Sequence, residues 1–182
     1  LNRHIFNGTR TIDNADMARV IALVDEIANY QGISITDKRV LKVMKKVPRH
    51  SFIPEELWPW AYHNNPLPIA YDQTISQPVI VASMTQMLDI QEGEKILEIG
   101  TGSGYQAAVL AEMGCIVYTI EIVPELGQRS AKVLEELGYN NVKVKVGDGY
   151  ESWKEYAPFD KIIVTCAPEQ LPRPLVKQLA PD

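Results

Sequence analysis

From residue 95 to residue 166, short apolar, β-branched runs alternate with helical stretches, and this alternation restricts the fold more than any other feature of the chain. Strands are expected over 95–99, 115–120, 142–146 and 161–166. Helices are expected over 105–113 and 124–137, the second closed by Gly138 as its C-cap glycine. Strand and helix in this order imply right-handed crossovers and a parallel sheet covered on both faces. Ligands in such a sheet bind at the carboxyl ends of the strands.

The first half reads differently. Met17, Val20, Ile21, Val24 and Ile27 fall on one helical face, with Asp13 or Asn14 as its cap. A second helix is expected from Thr36, as N-cap, through Val40, Leu41 and Met44, and Pro48 forbids its continuation. From there to Gln77 the reading is loop, with four prolines interleaved with Trp58, Trp60, Tyr62 and Tyr71. That segment is either a surface flap anchored by aromatic rings or one wall of a substrate site. Asn64, Asn65 and Pro66 are a tempting match to an adenine-methylating motif, but they precede the glycine turn instead of following the fourth strand. Pro78 suits the first turn of a helix, placing Ser76 and Gln77 at or next to its N-cap. With 182 residues, 46% of them hydrophobic, the chain supports one structural domain. Within it, 1–77 is a helical and loop segment and 78–182 an α/β core.

The chemistry concentrates at Leu97-Glu98-Ile99-Gly100-Thr101-Gly102-Ser103-Gly104, a turn between strand and helix where glycine lets the backbone approach a ligand. A dinucleotide-binding turn needs glycine at position 105, where this chain has Tyr105. Glu98 would also repel a pyrophosphate at the helix start. S-adenosylmethionine carries a sulfonium and an ammonium and no phosphate, so a nearby carboxylate favours it. Glu121 closes the second strand about 20 residues past the first glycine, the offset at which a carboxylate accepts from ribose hydroxyls. Gly147-Asp148-Gly149 closes the third, where Asp148 can accept from an adenine amino group. Taken one by one these are ordinary strand-end acids and turns; the conjunction of three is the signal.

Thr74-Ile75-Ser76-Gln77-Pro78, the 97–104 turn, Gly147-Asp148-Gly149 and Pro158-Phe159-Asp160 before Ile162-Ile163-Val164-Thr165 together resemble the protein-L-isoaspartate (D-aspartate) O-methyltransferase family. The resemblance implies a Rossmann-like, S-adenosylmethionine-dependent methyltransferase sheet with an N-terminal helical segment. It implies Ser76 as the active-site residue between cofactor and substrate, and cofactor contacts at Ile75, Ser76, Gln77, Gly100, Glu121, Ile122, Asp148 and Gly149. Reading the turn itself adds Glu98, Gly102, Ser103 and Gly104, and the acceptor that the resemblance implies adds Thr74 as a hydroxyl to orient it. The implied activity is repair: methyl transfer to the α-carboxylate of L-isoaspartyl, and in some cases D-aspartyl, residues of damaged proteins, with S-adenosylhomocysteine as product. A methyltransferase for another acceptor and a non-catalytic cofactor-binding module are the alternatives.

Composition excludes other classes. The chain has 18 basic and 23 acidic residues, a formal charge of -5, and no basic stripe for a nucleic acid. No run reaches the roughly 18 apolar residues of a membrane span. Residues 1–10 lack the apolar core of a signal peptide. Cys115 and Cys166 each fall in an apolar run and are expected as buried thiols of a reducing compartment, hence a cytoplasmic location. No metal site is read, and His4, His50 and His63 are expected at the surface or in packing. The family's sheet has seven strands, whereas this sequence ends after the fourth, near the turn into a fifth. The fourth strand is therefore expected as an edge open to pairing with another copy.

Overall fold

The computed structural model describes residues 12–166 and 172–181. Expectations for 1–11, His4 among them, lie outside the described residues. Helix α1 (Asn14–Ala28) is capped by Asp13, whose side chain accepts from Asp16 N. A two-residue hairpin, β1 (Asn29–Tyr30) and β2 (Ile33–Ser34), leads to α2 (Lys38–Lys46). Two 3-10 segments follow, Arg49–Phe52 and Glu55–Trp60, and then the hairpin β3 (Leu67–Pro68) and β4 (Thr74–Ile75). The α/β part runs α3 (Pro78–Met87), β5 (Lys95–Ile99), α4 (Tyr105–Glu112), β6 (Ile116–Glu121), α5 (Pro124–Glu136), β7 (Val142–Val146), β8 (Lys161–Val164) and α6 (Arg173–Val176).

The sheet has the order β7-β6-β5-β8, parallel throughout, with crossovers that bring the ends of β5, β6 and β8 together. The expected strands and helices of this half agree to within one or two residues. Alternation along β5 divides its side chains between two layers. Ile96 joins the larger core, which runs from Val20 in α1 to Ile163 in β8. Leu97 and Ile99 join the opposite, smaller one with Tyr118, Phe159 and Leu175. Glu98 therefore points with Ile96 into the helical layer.

Local differences from expectation have physical causes. The buried stripe of α1 is Val20, Leu23, Val24 and Ile27, whereas Met17 and Ile21 are 37% and 44% exposed. The helix presents a narrower face, centred one residue away. Asp37, not Thr36, caps α2, because the Thr36 and Asp37 amides both donate to Gln86 Oε1 of α3. The 48–77 segment is ordered by packing more than by repeating structure: Phe52 meets Tyr105 edge-on, and His50 Nδ1 lies 2.6 Å from the Tyr62 hydroxyl. Cys115 is buried as expected, but Cys166 is exposed, because β8 ends at Val164 and the chain turns there to follow the glycine turn. β8 is bonded to β5 on one side. On its other side, Phe159 N donates to Gln178 O and Ala180 N donates to Phe159 O, ahead of the strand.

Candidate active site

At the carboxyl ends of the strands lies a cavity of about 240 Å³. Its wall combines four pieces of chain: the β4 end, the glycine turn, the end of β6 and the turn after β7. Thr165 and Cys166 close it behind β8.

The glycine turn is held from several sides. Gly100 N and Thr101 N both donate to Ile120 O, tying the turn to β6. Gly102 N donates to Glu121 Oε2 at 2.8 Å, and the Ser130 hydroxyl of α5 donates to Gly102 O. Thr165 Oγ1 donates to Gly100 O at 2.6 Å. A Cβ at Gly100 would lie 2.9 Å from that same Thr165 Oγ1, and Gly100 also has φ +96°, so only glycine fits there. Gly104 caps α4 at φ +88°, in the left-handed region.

Glu121 is 5% exposed and faces the cavity. Its Oε2 accepts from Gly102 N and its Oε1 from Val123 N at 3.0 Å, so each oxygen keeps a further acceptor lone pair. Two neighbouring acceptors held by backbone amides match a vicinal diol. Asp148 ends the next strand, with Oδ1 accepting from Tyr150 N at 2.8 Å and Oδ2 left to bind a donor. Gly149 is needed for packing: a Cβ there would lie 2.4 Å from Ile99 Cγ2. Ile122, 69% exposed, gives the same wall an apolar side chain.

The same cavity is lined by Thr74, Ile75 and Ser76, with both hydroxyl residues exposed and Ile75 buried. The structure thus gathers ten of the expected site residues on one cavity: Thr74, Ile75, Ser76, Gly100, Gly102, Ser103, Glu121, Ile122, Asp148 and Gly149. Three others stand behind the wall. Gln77 turns its amide to Asn64 O at 2.8 Å, and Gly104 packs against Leu134. Glu98, expected to face the cofactor, is instead wholly buried, with Oε1 accepting from the Thr119 hydroxyl at 2.7 Å. Loss of solvent pushes its carboxyl up to about 8, the Thr119 hydrogen bond pulls it down, and nearby Glu121 raises it further.

Several residues escaped the sequence reading. Asn64 caps α3 from a distance, its Oδ1 accepting from Val79 N at 3.1 Å, a role no local pattern announces. Gly127 sits inside α5, where glycine normally weakens a helix; a Cβ there would meet Val146 Cγ2 at 2.9 Å and Glu121 Cβ at 3.3 Å. The bare position lets α5 close on the Glu121 strand end, and a glycine inside a helical pattern was the available signal. Thr101 and Thr119, whose hydroxyls lie 2.7 Å apart, carry no motif at all.

A parallel sheet, a glycine turn bound to a strand-end carboxylate, and a second acid one strand over define a Rossmann-like S-adenosylmethionine-dependent methyltransferase. The cavity's polar lining fits that cofactor: two carboxylates to accept from hydroxyl and amino groups, and, among the described residues, no cation on the wall to repel a sulfonium. The family model of protein-L-isoaspartate (D-aspartate) O-methyltransferase matches residues 18–182, and the chain belongs to that family. A Gloeobacter violaceus protein-L-isoaspartate O-methyltransferase is 57% identical over 158 residues, 87% of this chain and 76% of its own length. A Polaromonas protein-L-isoaspartate O-methyltransferase 2 is 52% identical, covering 90% of this chain and 77% of its own. Among solved structures, a protein-L-isoaspartate O-methyltransferase superposes with a TM-score of 0.78 at 28% identity, over 88% of this chain and 52% of that one. A Plasmodium falciparum chain solved with S-adenosyl-L-homocysteine shares the fold, with a TM-score of 0.74 at 24% identity over 92% of this chain and 81% of its own.

Proposed function

We propose that the chain seats S-adenosyl-L-methionine in this cavity and transfers its methyl group to the α-carboxylate of L-isoaspartyl, and in some cases D-aspartyl, residues of damaged proteins. The observation that carries the reading is that one cavity is lined both by the acids Glu121 and Asp148 and by the hydroxyl residues Thr74 and Ser76. Glu121 would hold the ribose hydroxyls, Asp148 the adenine amino group, and Gly100, Gly102 and Ser103 the amino-acid end, with Ile75 and Ile122 as apolar contacts. Bound there, the cofactor supplies a methyl group made electrophilic by its sulfonium.

The chain's own task is placement. An α-carboxylate has a reference pKa of about 3.5 and is already ionised at neutral pH, so no general base is needed to activate it. His50 and His63 do not line the cavity. The Ser76 and Thr74 hydroxyls can donate to one carboxylate oxygen and leave the other aimed along the line of displacement. Correct orientation of that kind supplies up to roughly 7 to 11 kcal/mol of barrier lowering. Ile75, buried between the two hydroxyl residues, adds apolar surface to the cavity lining, and apolar surroundings strengthen the attraction between anion and cation.

A charge of -5 speaks against nucleic-acid partners, and free cysteines suit the cytoplasm. Among the described residues no helix is long and apolar enough to cross a membrane. The test is a matched pair of peptides, one isoaspartyl and one aspartyl, incubated with S-adenosylmethionine and the protein. A base-labile methyl ester on the isoaspartyl peptide alone is expected. Equal labelling of the two, or none, contradicts the proposal.

A further inference from the structure

Glu98 is the one acid of the expected set that the cavity does not use, and its surroundings say what it does. It is 0% exposed and lies directly opposite Thr119 in the β5–β6 register. Thr119 Oγ1 donates to Glu98 Oε1 at 2.7 Å, and Thr119 Oγ1 and Thr101 Oγ1 lie 2.7 Å apart. Thr119 is 0% exposed and Thr101 3%, so the three groups form a closed polar thread inside the helical layer. Its far end, Thr101, is part of the glycine turn and of the cavity wall. The near end, Glu98 Oε2, has no hydrogen-bond partner. Among the described residues no basic side chain forms an ion pair with Glu98. From β6 the facing titratable group is Glu121, and from β8 the residue opposite is the apolar Ile163. A buried carboxylate with one hydrogen bond, no cation and an acidic neighbour is costly as an anion and tolerable as an acid.

We infer that Glu98 is a positioning residue for the methyl-donor seat: as an uncharged acid it fixes Thr119, which fixes Thr101, and so sets where the amides of the glycine turn point. It touches no ligand. The inference rests on the cavity being that seat, and it departs from the expectation that the acid before the turn binds the cofactor by charge. Threonine hydroxyls rotate freely when unengaged. In the thread, the rotor next to the turn has its orientation chosen for it by a group on the neighbouring strand.

The test is a calorimetric titration of S-adenosylhomocysteine into five proteins, the unaltered one and four variants, with a melting curve of each ligand-free protein. Glu98→Leu deletes the thread at one end with little change in volume, and Thr119→Val deletes it in the middle. Each is expected to weaken binding about 10-fold, the scale of one lost hydrogen bond, and the double variant is expected to bind about as weakly as either single one. Glu98→Gln keeps an acceptor for Thr119 without charge and restores affinity to within about 3-fold of the original. The ligand-free melting temperature of Glu98→Leu is expected to hold or rise, because an unmatched buried carboxyl has gone; a purely structural role would lower it together with affinity. Thr119→Val, isosteric and hydrophobic, keeps the question open to measurement if Glu98→Leu does not fold. Binding by Glu98→Gln as weak as by Glu98→Leu, or unchanged binding in Glu98→Leu and Thr119→Val, overturns the inference. Failure of the unaltered protein to bind overturns the seat itself and shows as a different result.

Discussion

The two walls of the cavity are built in opposite ways. On the donor side every polar group is tied to backbone or to a neighbouring strand: Glu121 by two amides, Gly102 by Glu121 and Ser130, Asp148 by the Tyr150 amide. On the acceptor side, Thr74 and Ser76 are exposed and flank the end of a two-residue strand. The β3–β4 turn ahead of them places Tyr71 and Asp72 both at φ 55°, a left-handed conformation that non-glycine residues adopt at a cost. A cofactor of fixed shape is best met by a preorganised seat. A damaged residue embedded in arbitrary sequence needs a wall that offers hydroxyls and otherwise stays out of the way.

This contrast can be broken from either side. The largest effect is expected at the acceptor wall. Ser76→Ala should lower methyl transfer to an isoaspartyl peptide about 100-fold, the scale of a misplaced reacting group, as read in a steady-state assay at saturating cofactor.

Next comes a pH effect that belongs to the donor side alone. Burial holds the Glu98 carboxyl up to about 8 from an ordinary 4.5, so the unfolded chain releases this proton well before the folded one does. Stability from this group is fully present below the lower value and is lost as pH rises towards the upper one. Urea midpoints compared at about pH 5 and about pH 8 measure it, and Glu98→Gln should flatten the decline.

Gly149→Ala forces a methyl against Ile99 and should cost about 1 to 2 kcal/mol of stability in the same denaturation experiment. The smallest change is expected at the acceptor turn. Asp72→Gly relieves one left-handed residue and should raise stability by about 0.5 to 1 kcal/mol. If it also slows turnover, the strained turn serves the acceptor directly.

The same contrast explains what was legible in the sequence. Strands β5 to β8 are short runs rich in β-branched residues with glycine or proline punctuation, so their existence, their order along the chain and the acids at their ends could be read directly. The direction of Glu98 could not. The sheet is covered on both faces, and alternation only sets Glu98 opposite Leu97 and Ile99 without saying which face meets the ligand. Cys166 continues an apolar run, yet the ladder stops at Val164, because Thr165 leaves it to bond the glycine turn. In the 48–77 segment nothing repeats, and its order comes from contacts distant in sequence. Arg49, for example, is wholly buried with its guanidinium over the Tyr105 ring at 5.0 Å, and Asn64 caps a helix that begins 14 residues later. Such pairings are tertiary and leave no local signature.

The division of labour between the walls is tested most directly by titrating S-adenosylhomocysteine calorimetrically into the unaltered protein, Glu121→Ala and Ser76→Ala. Glu121→Ala should lose roughly 1 to 3 kcal/mol of binding free energy, as unmatched buried donors do, while Ser76→Ala should bind like the original. A Glu121→Ala protein that binds undiminished, or a Ser76→Ala protein that binds as poorly as Glu121→Ala should, would contradict the assignment of donor and acceptor to separate walls.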